Sequence, residues 1–188
     1  MSEERKVDSK QLKEIELRVL AELMKNSRRS DRQLAQALHT SQPTVSRIIK
    51  RLEKEGIIKE YTMIPNFWKV GYKILALVFV RLKKELDERQ TDEARQIATA
   101  SLRNAYFPII MLERGLGMDS NGVFVTYHKD YSSYTEFIKW LKHFDFLAIE
   151  GIQSFMVDLE DNVQHYPLSF TQMARDIVQM KERKGVEE

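Results

Sequence analysis

Apolar residues recur at helical spacing over the first sixty positions and at strand spacing through much of the rest. Leu12, Ile15, Val19 and Leu23 return every three to four residues, with Lys13, Glu14, Glu16 and Glu22 between them. That period predicts an amphipathic helix stopping near Asn26-Ser27. Ser30-Asp31-Arg32-Gln33 reads as a capping box opening a short second helix, with Leu34, Ala35 and Leu38 inward, which fades at His39-Thr40. Ser41 is an N-cap for a third helix, Pro43 fits its first turn, and Gly56 ends it with a left-handed cap. Val45, Ile48, Ile49 and Leu52 share one face of this helix, while Gln42, Pro43, Ser46, Arg47 and Lys50 share the other. Ile57 to Thr62 reads as a strand forming a short wing.

From Met63 the pattern changes. Pro65 and Gly71 mark a linker, and Ile74 to Val80 is an unbroken β-favourable run. A helical pattern over 92–104 follows, then strands over Tyr106–Leu112 and Val123–Tyr127, separated by a turn-rich loop from Gly115 to Gly122. Tyr131, Tyr134, Phe137, Ile138 and Leu141 predict another helix, Ile149 to Leu159 a fourth strand, and Ser169 opens a last amphipathic helix. The sheet-forming part runs β-α-β-β-α-β, the ferredoxin-like split βαβ order. Such a sheet leaves one face without helices, and pairing with a second copy is the simplest cover, so a homodimer or higher homo-oligomer is expected.

Composition narrows the class. With 188 residues, 43% hydrophobic, 7 Gly and 4 Pro, the chain can bury a core unaided and is neither disordered nor fibrous. It has no cysteine, which excludes a disulfide framework, thiol chemistry and cysteine-based zinc sites. The longest apolar run, Ile74 to Val80, is far too short to span a bilayer, and no signal-peptide core follows Met1-Ser2-Glu3-Glu4-Arg5-Lys6. A soluble, cytoplasmic protein with no membrane partner is expected.

Net charge is only +2, but it is unevenly placed. Residues 1–62 carry 14 Lys and Arg against 10 Asp and Glu, and residues 63–188 carry 16 against 18. Arg28, Arg29, Arg32, Arg47, Lys50 and Arg51 gather around the second and third helices with Asp31 as the one acid among them. Basic residues beside a polar helix face suit double-stranded DNA. A helix fits the major groove, where Arg forks onto guanine, Gln onto adenine, and hydroxyls reach several edges. Gln42, Thr44, Ser46 and Arg47 lie near the helix end that reaches bases in helix-turn-helix docking, and they are the expected base readers. Arg28, Arg29, Arg32, Lys50 and Arg51 are the expected phosphate contacts.

Ser30 to Tyr61, SDRQLAQALHTSQPTVSRIIKRLEKEGIIKEY, resembles the winged helix-turn-helix of the Lrp/AsnC (feast/famine) family of prokaryotic transcription regulators. The matching pieces are Leu34-Ala35 and Leu38, Ser41 through Arg47, and Arg51 to Ile58. His39-Thr40 departs from the family's usual Gly and aliphatic residue. The resemblance implies a ligand-sensing and assembly domain of the same β-α-β-β-α-β order. It also implies an effector site near a Gly-x-aromatic-Asp element, whose nearest counterpart is Gly117-Met118-Asp119, with Met for the aromatic and a lengthened loop after it. The chain continues past the family's usual end into the helix opened by Ser169.

The expected fold is therefore α+β. It comprises a winged helix-turn-helix domain (1–64), a linker (65–73), a ferredoxin-like dimerisation and ligand-sensing domain (74–167), and a C-terminal helix and tail (168–188). The expected function is sequence-specific transcription regulation, modulated by a small-molecule effector at the sheet domain, with no catalytic residue, metal or cofactor. Gly115-x-Gly117-x-x-x-x-Gly122 is read as a hairpin loop, because phosphate loops need a helix directly after them. His39, His128, His143 and His165 share no metal-ligand spacing. Two alternatives remain beside the regulator. One is an enzyme resembling siroheme decarboxylases on the same scaffold, with His128 and Arg114 as candidates by location. The other is an architectural protein coating DNA with little sequence preference.

Overall fold

The first helix forms where the apolar spacing predicts it. In the computed structural model, which describes residues 12–82, 105–143, 149–161 and 168–184 with Gln96 and Ala100, helix α1 spans Glu14–Lys25. Helices α2 (Asp31–Ala37) and α3 (Gln42–Lys54) follow. Ser30 Oγ accepts the Gln33 backbone N–H at 3.3 Å, and Ser30 N–H donates to Gln33 Oε1 at 2.9 Å, so the capping box closes. Val19, Leu34, Val45 and Leu52 are fully buried where the three helices meet. The departure at His39 has a physical reading: its φ is +51°, a left-handed conformation that glycine adopts at little cost. Histidine is among the residues that tolerate it better than most. His39→Gly should raise the melting temperature of this unit, by about 0.5–1 kcal/mol of stability, measurable by thermal unfolding.

The expected wing strand does not form. Ile57 and Ile58 donate their N–H groups to Leu52 O at 2.9 and 3.1 Å, folding the chain back onto the end of α3. Residues 59–65 then run without a ladder partner. Tyr61 instead donates its hydroxyl to Glu53 Oε1 at 2.9 Å. Burial and the neighbouring Glu53 carboxylate push the Tyr61 phenol up to about 12.

The second compact unit, residues 65–164, holds a four-stranded antiparallel sheet. Its strands are β1 (Ile74–Leu82), β2 (Ile109–Gly117), β3 (Ser120–His128) and β4 (Ile149–Asp158), in the order β2-β3-β1-β4. This is the split βαβ arrangement. Helix α4 (Tyr131–Lys142) packs on one face, where Phe137 and Leu141 meet Ala76, Val78, Val80 and Phe124. The expected helix over 92–104 lies outside the described residues apart from Gln96 and Ala100.

Strand alternation places Leu77, Phe79 and Val125 on the opposite face, with Met111 and Phe155 paired beside them at 42% and 63% exposure. The linker is folded against this unit: Phe67 stacks on Tyr127 at 3.8 Å, and Tyr72 N–H bonds to Phe67 O at 3.0 Å. The last helix, α5 (Thr171–Lys184), belongs with residues 1–64 and packs on α1. No helix among the described residues is long and apolar enough to cross a membrane.

Candidate nucleic-acid interface

The polar face of α3 is built by what its other face buries. Val45, Ile48 and Leu52 are held in the core, and the same helical turns present Gln42, Pro43, Arg47 and Lys50 to solvent. Ser41 Oγ accepts the Thr44 N–H at 3.3 Å, so the first turn is held in place at the end that reaches bases. Gln42, Arg47 and Lys50 make no side-chain hydrogen bond or ion pair among the described residues, which leaves their donors and acceptors available. Thr44 differs: it is half-buried, and its Oγ1 lies 2.8 Å from Ser41 Oγ. Ser46 is half-buried between the two faces.

The expected phosphate contacts divide in two. Arg28 and Arg32 are exposed and carry no ion pair among the described residues. Arg29 is paired with Glu22, whose carboxyl is held below its usual range by the Lys25 ammonium hydrogen-bonded to it at 2.6 Å and, to a lesser extent, by Arg29. Arg28 and Arg29 line a cleft of about 560 Å³ with Asn26, Gln33 and Ala37. Arg51 is engaged more fully. Its guanidinium forks onto the buried Glu16 carboxylate, with Nη2 at 3.1 Å from Oε2, while Nε bonds Glu55 at 3.1 Å. Glu16 also accepts the Lys13 N–H at 2.8 Å. Arg51 thereby ties α3 to α1, a structural role that spacing alone does not reveal because its partner lies 35 residues away.

The segment expected as a lengthened loop is a tight hairpin. Strands β2 and β3 continue to Gly117 and from Ser120, which pair across a two-residue turn of Met118 and Asp119. Both turn residues are left-handed, at φ +53° and +51°, the geometry of turns matched to strand twist. Met118 is 63% exposed and Leu116 98%. Asp119 pairs with Arg81, whose Nε lies 3.4 Å from Glu150 Oε2, and Leu82 N–H bonds Asn121 Oδ1 at 3.0 Å. Gly117, Met118 and Asp119 therefore sit together at one exposed tip, the Asp carboxylate already occupied by a cation. Replacing Met118-Asp119 by Asn-Gly should stabilise the hairpin by about 0.5–1 kcal/mol, read as slower amide exchange across β2 and β3.

His128 and Arg114, the candidates for the enzymatic alternative, do not converge. His128 is 1% exposed on the face covered by α4, its Nε2 2.8 Å from Thr126 Oγ1 and its ring against Tyr134 and Phe137. Arg114 is exposed and pairs in register with Gly122, six positions along β3 from His128, a separation of about 20 Å.

Residues 12–59 match a family model described as "Winged helix-turn-helix DNA-binding". The HTH-type transcriptional regulator LrpC of Bacillus subtilis is 36% identical over 78 residues, covering 42% of this chain and 54% of LrpC. A Pyrococcus furiosus protein named as an uncharacterized HTH-type transcriptional regulator is 26% identical over 159 residues, 85% of this chain and 99% of that protein. The chain spans about half the length of most of the curated relatives it matches. Among solved structures, LrpC superposes with a TM-score of 0.63 at 21% identity, covering 82% of this chain and 99% of LrpC. A Neisseria meningitidis regulator solved with L-Met superposes at 0.64 with 20% identity, covering 86% and 99%. These structures share the two-part α+β fold, and residues 12–59 of this chain form a helix-turn-helix of the winged DNA-binding kind that the family model describes.

Proposed function

We propose that the chain is a cytoplasmic transcription regulator that binds operator DNA as a homodimer or higher oligomer. The observation that carries this reading is the outer face of α3, where Gln42, Arg47 and Lys50 stand exposed, and without partners among the described residues, on a helix seated by a full apolar core. Arg47 and Gln42 read base edges, with Ser46 and Thr44 at the margins, and Arg28, Arg32 and Lys50 neutralise phosphates. Arg29 adds to that field through the Asn26–Ala37 cleft, and Arg51 positions α3. A dimer forms through the apolar face of the sheet around Leu77, Phe79, Val125 and Phe155, which α4 leaves uncovered. The hairpin tip at Gly117, Met118 and Asp119 is the place for an effector. The L-Met complex of the Neisseria regulator supports an amino acid as its class.

Arg47→Ala and Arg28→Ala separate the two kinds of contact. Arg47→Ala should weaken binding to the specific operator by about 1–3 kcal/mol with little change on random DNA. Arg28→Ala should weaken both alike and make the salt dependence shallower. Equal loss of specific and random binding in Arg47→Ala would remove its base-reading role.

A further inference from the structure

A cleft of about 880 Å³ in the DNA-binding unit has no part in the reading face, since none of its lining residues belongs to α3. All of them lie within that one unit. Leu20, Leu23 and Ile58, which belong to the apolar core, back the cleft. One wall is the chain from Lys59 to Ile64, and the other is the start of α5, from Leu168 to Met173. Hydrogen bonds hold both walls in place. Ser27 Oγ donates to Thr62 O at 3.2 Å, Tyr61 holds Glu53, and Ser169 Oγ accepts the Thr171 N–H at 3.2 Å. The mouth is apolar where a solvated surface is ordinarily polar: Met63 is 73% exposed and Met173 59%, and Ile64 and Phe170 are exposed too. A cleft of this size with an apolar lining falls in the range of small-molecule sites, about 300–1,000 Å³.

The polar rim is cationic. Arg28 and Lys59 are exposed and carry no ion pair among the described residues, while Lys25 is paired with Glu22, and Glu60 is the one acid in the lining. The bond from Ser27 to Thr62 brings Arg28 and the Lys59–Thr62 stretch to the same side of the cleft. We propose that this cleft binds an amphipathic carboxylate of the medium-chain fatty acid class. Its chain lies against Leu20, Met24, Ile64 and Phe170, and its carboxylate lies between Arg28 and Lys59. Burial of the chain supplies the affinity, and the two cations set the orientation and the preference for an anion. A free amino acid suits the cleft poorly, because its ammonium would sit among cations with Glu60 as the one opposing charge. The site thus differs in class from the one proposed at the hairpin tip. One consequence rests on the DNA-reading function above: a carboxylate held by Arg28 removes a phosphate contact, so the ligand should weaken binding to DNA of any sequence and make its salt dependence shallower.

The test uses the full chain labelled with 13C-methyl methionine and titrated with decanoate below its micelle concentration. Met24, Met63 and Met173 line the cleft, whereas Met111, Met118 and Met156 are exposed on the sheet unit and control for unspecific binding. The expected result is saturable shifts of the first three methyls with one Kd, and no shift of the control methyls. Decylammonium, equal in chain and opposite in charge, should bind about tenfold more weakly. Arg28→Gln with Lys59→Gln, two exposed substitutions that leave the core intact, should weaken decanoate about fivefold and narrow that gap. Control methyls that shift alongside the others, or decylammonium binding as tightly as decanoate, would overturn the site. Shifts of the three cleft methyls on raising the protein concentration without decanoate would place a second copy there and overturn it as well. None of these readings needs DNA. A chain that binds decanoate as expected but shows no affinity for DNA would overturn the DNA-reading function and leave the site standing.

Discussion

Leu52→Ala should destabilise the DNA-binding unit by about 2–5 kcal/mol and, through that loss alone, abolish operator binding at temperatures where the parent still binds. Leu52 is fully buried at the far end of α3, packed with Val19, Leu34 and Val45. Truncation removes its transfer free energy and leaves a cavity that three short helices cannot close without shifting α3. A domain whose total stability is about 5–15 kcal/mol spends a large part of it on such a change. The reading face is untouched, so any protein that remains folded should bind normally. Thermal unfolding followed by circular dichroism gives the stability loss, and operator titrations at two temperatures separate it from a contact effect. Amide exchange in the sheet should be unaltered. Weaker binding at low temperature, where the variant is fully folded, would contradict the account.

Acid should weaken the sheet unit through His128 before its carboxylates titrate. Burial pushes the His128 imidazole down to about 4 from an ordinary 6.5, and the nearby Ser133 backbone and Asp130 only partly offset it. Between those values the unfolded chain binds a proton that the folded chain refuses. Stability is therefore complete above pH 6.5 and falls as the pH drops toward 4, by about 3 kcal/mol in all. His128→Leu should cost some stability at pH 7.5, because Thr126 loses its 2.8 Å partner. It should also flatten the decline between pH 6.5 and 4.5. Asp130, held below its usual range by the Ser133 backbone N–H, titrates lower still and leaves that window clear. Urea unfolding at pH 7.5, 5.5 and 4.5 reads both effects. The same acid decline in parent and variant would assign it elsewhere.

Local chemistry made the helix-turn-helix legible in the sequence. Ser30 and Ser41 cap, Gly56 stops, and one apolar face fixes which residues of α3 look outward. The sheet order was legible for the same reason, since strand-length apolar runs alternate with a helical one at Tyr131–Leu141. The wing strand failed because Ile57-to-Thr62 has strand composition but no partner strand beside it, and composition cannot supply one. The hairpin between Gly115 and Gly122 was legible, but its loop was read as too long, because the three glycines outweighed the two-residue turn that forms at Met118-Asp119, where Met is a residue rarely found in left-handed backbone. The pairing of Arg51 with Glu16 and the seat of α5 on α1 join residues far apart in the chain. No local pattern encodes such partnerships, so candidate phosphate contacts looked more uniform in the sequence than in the structure.

Fluorescence anisotropy on DNA from the chain's own upstream region, beside a random duplex and Arg47→Ala at one physiological salt concentration, tests the central claim most directly. A sequence-specific regulator binds the upstream DNA about a thousandfold or more tighter than the random duplex, and Arg47→Ala erases most of that difference. Equal affinity for the two duplexes, unaltered by Arg47→Ala, would contradict sequence reading by α3 and leave a protein that coats DNA through its phosphates.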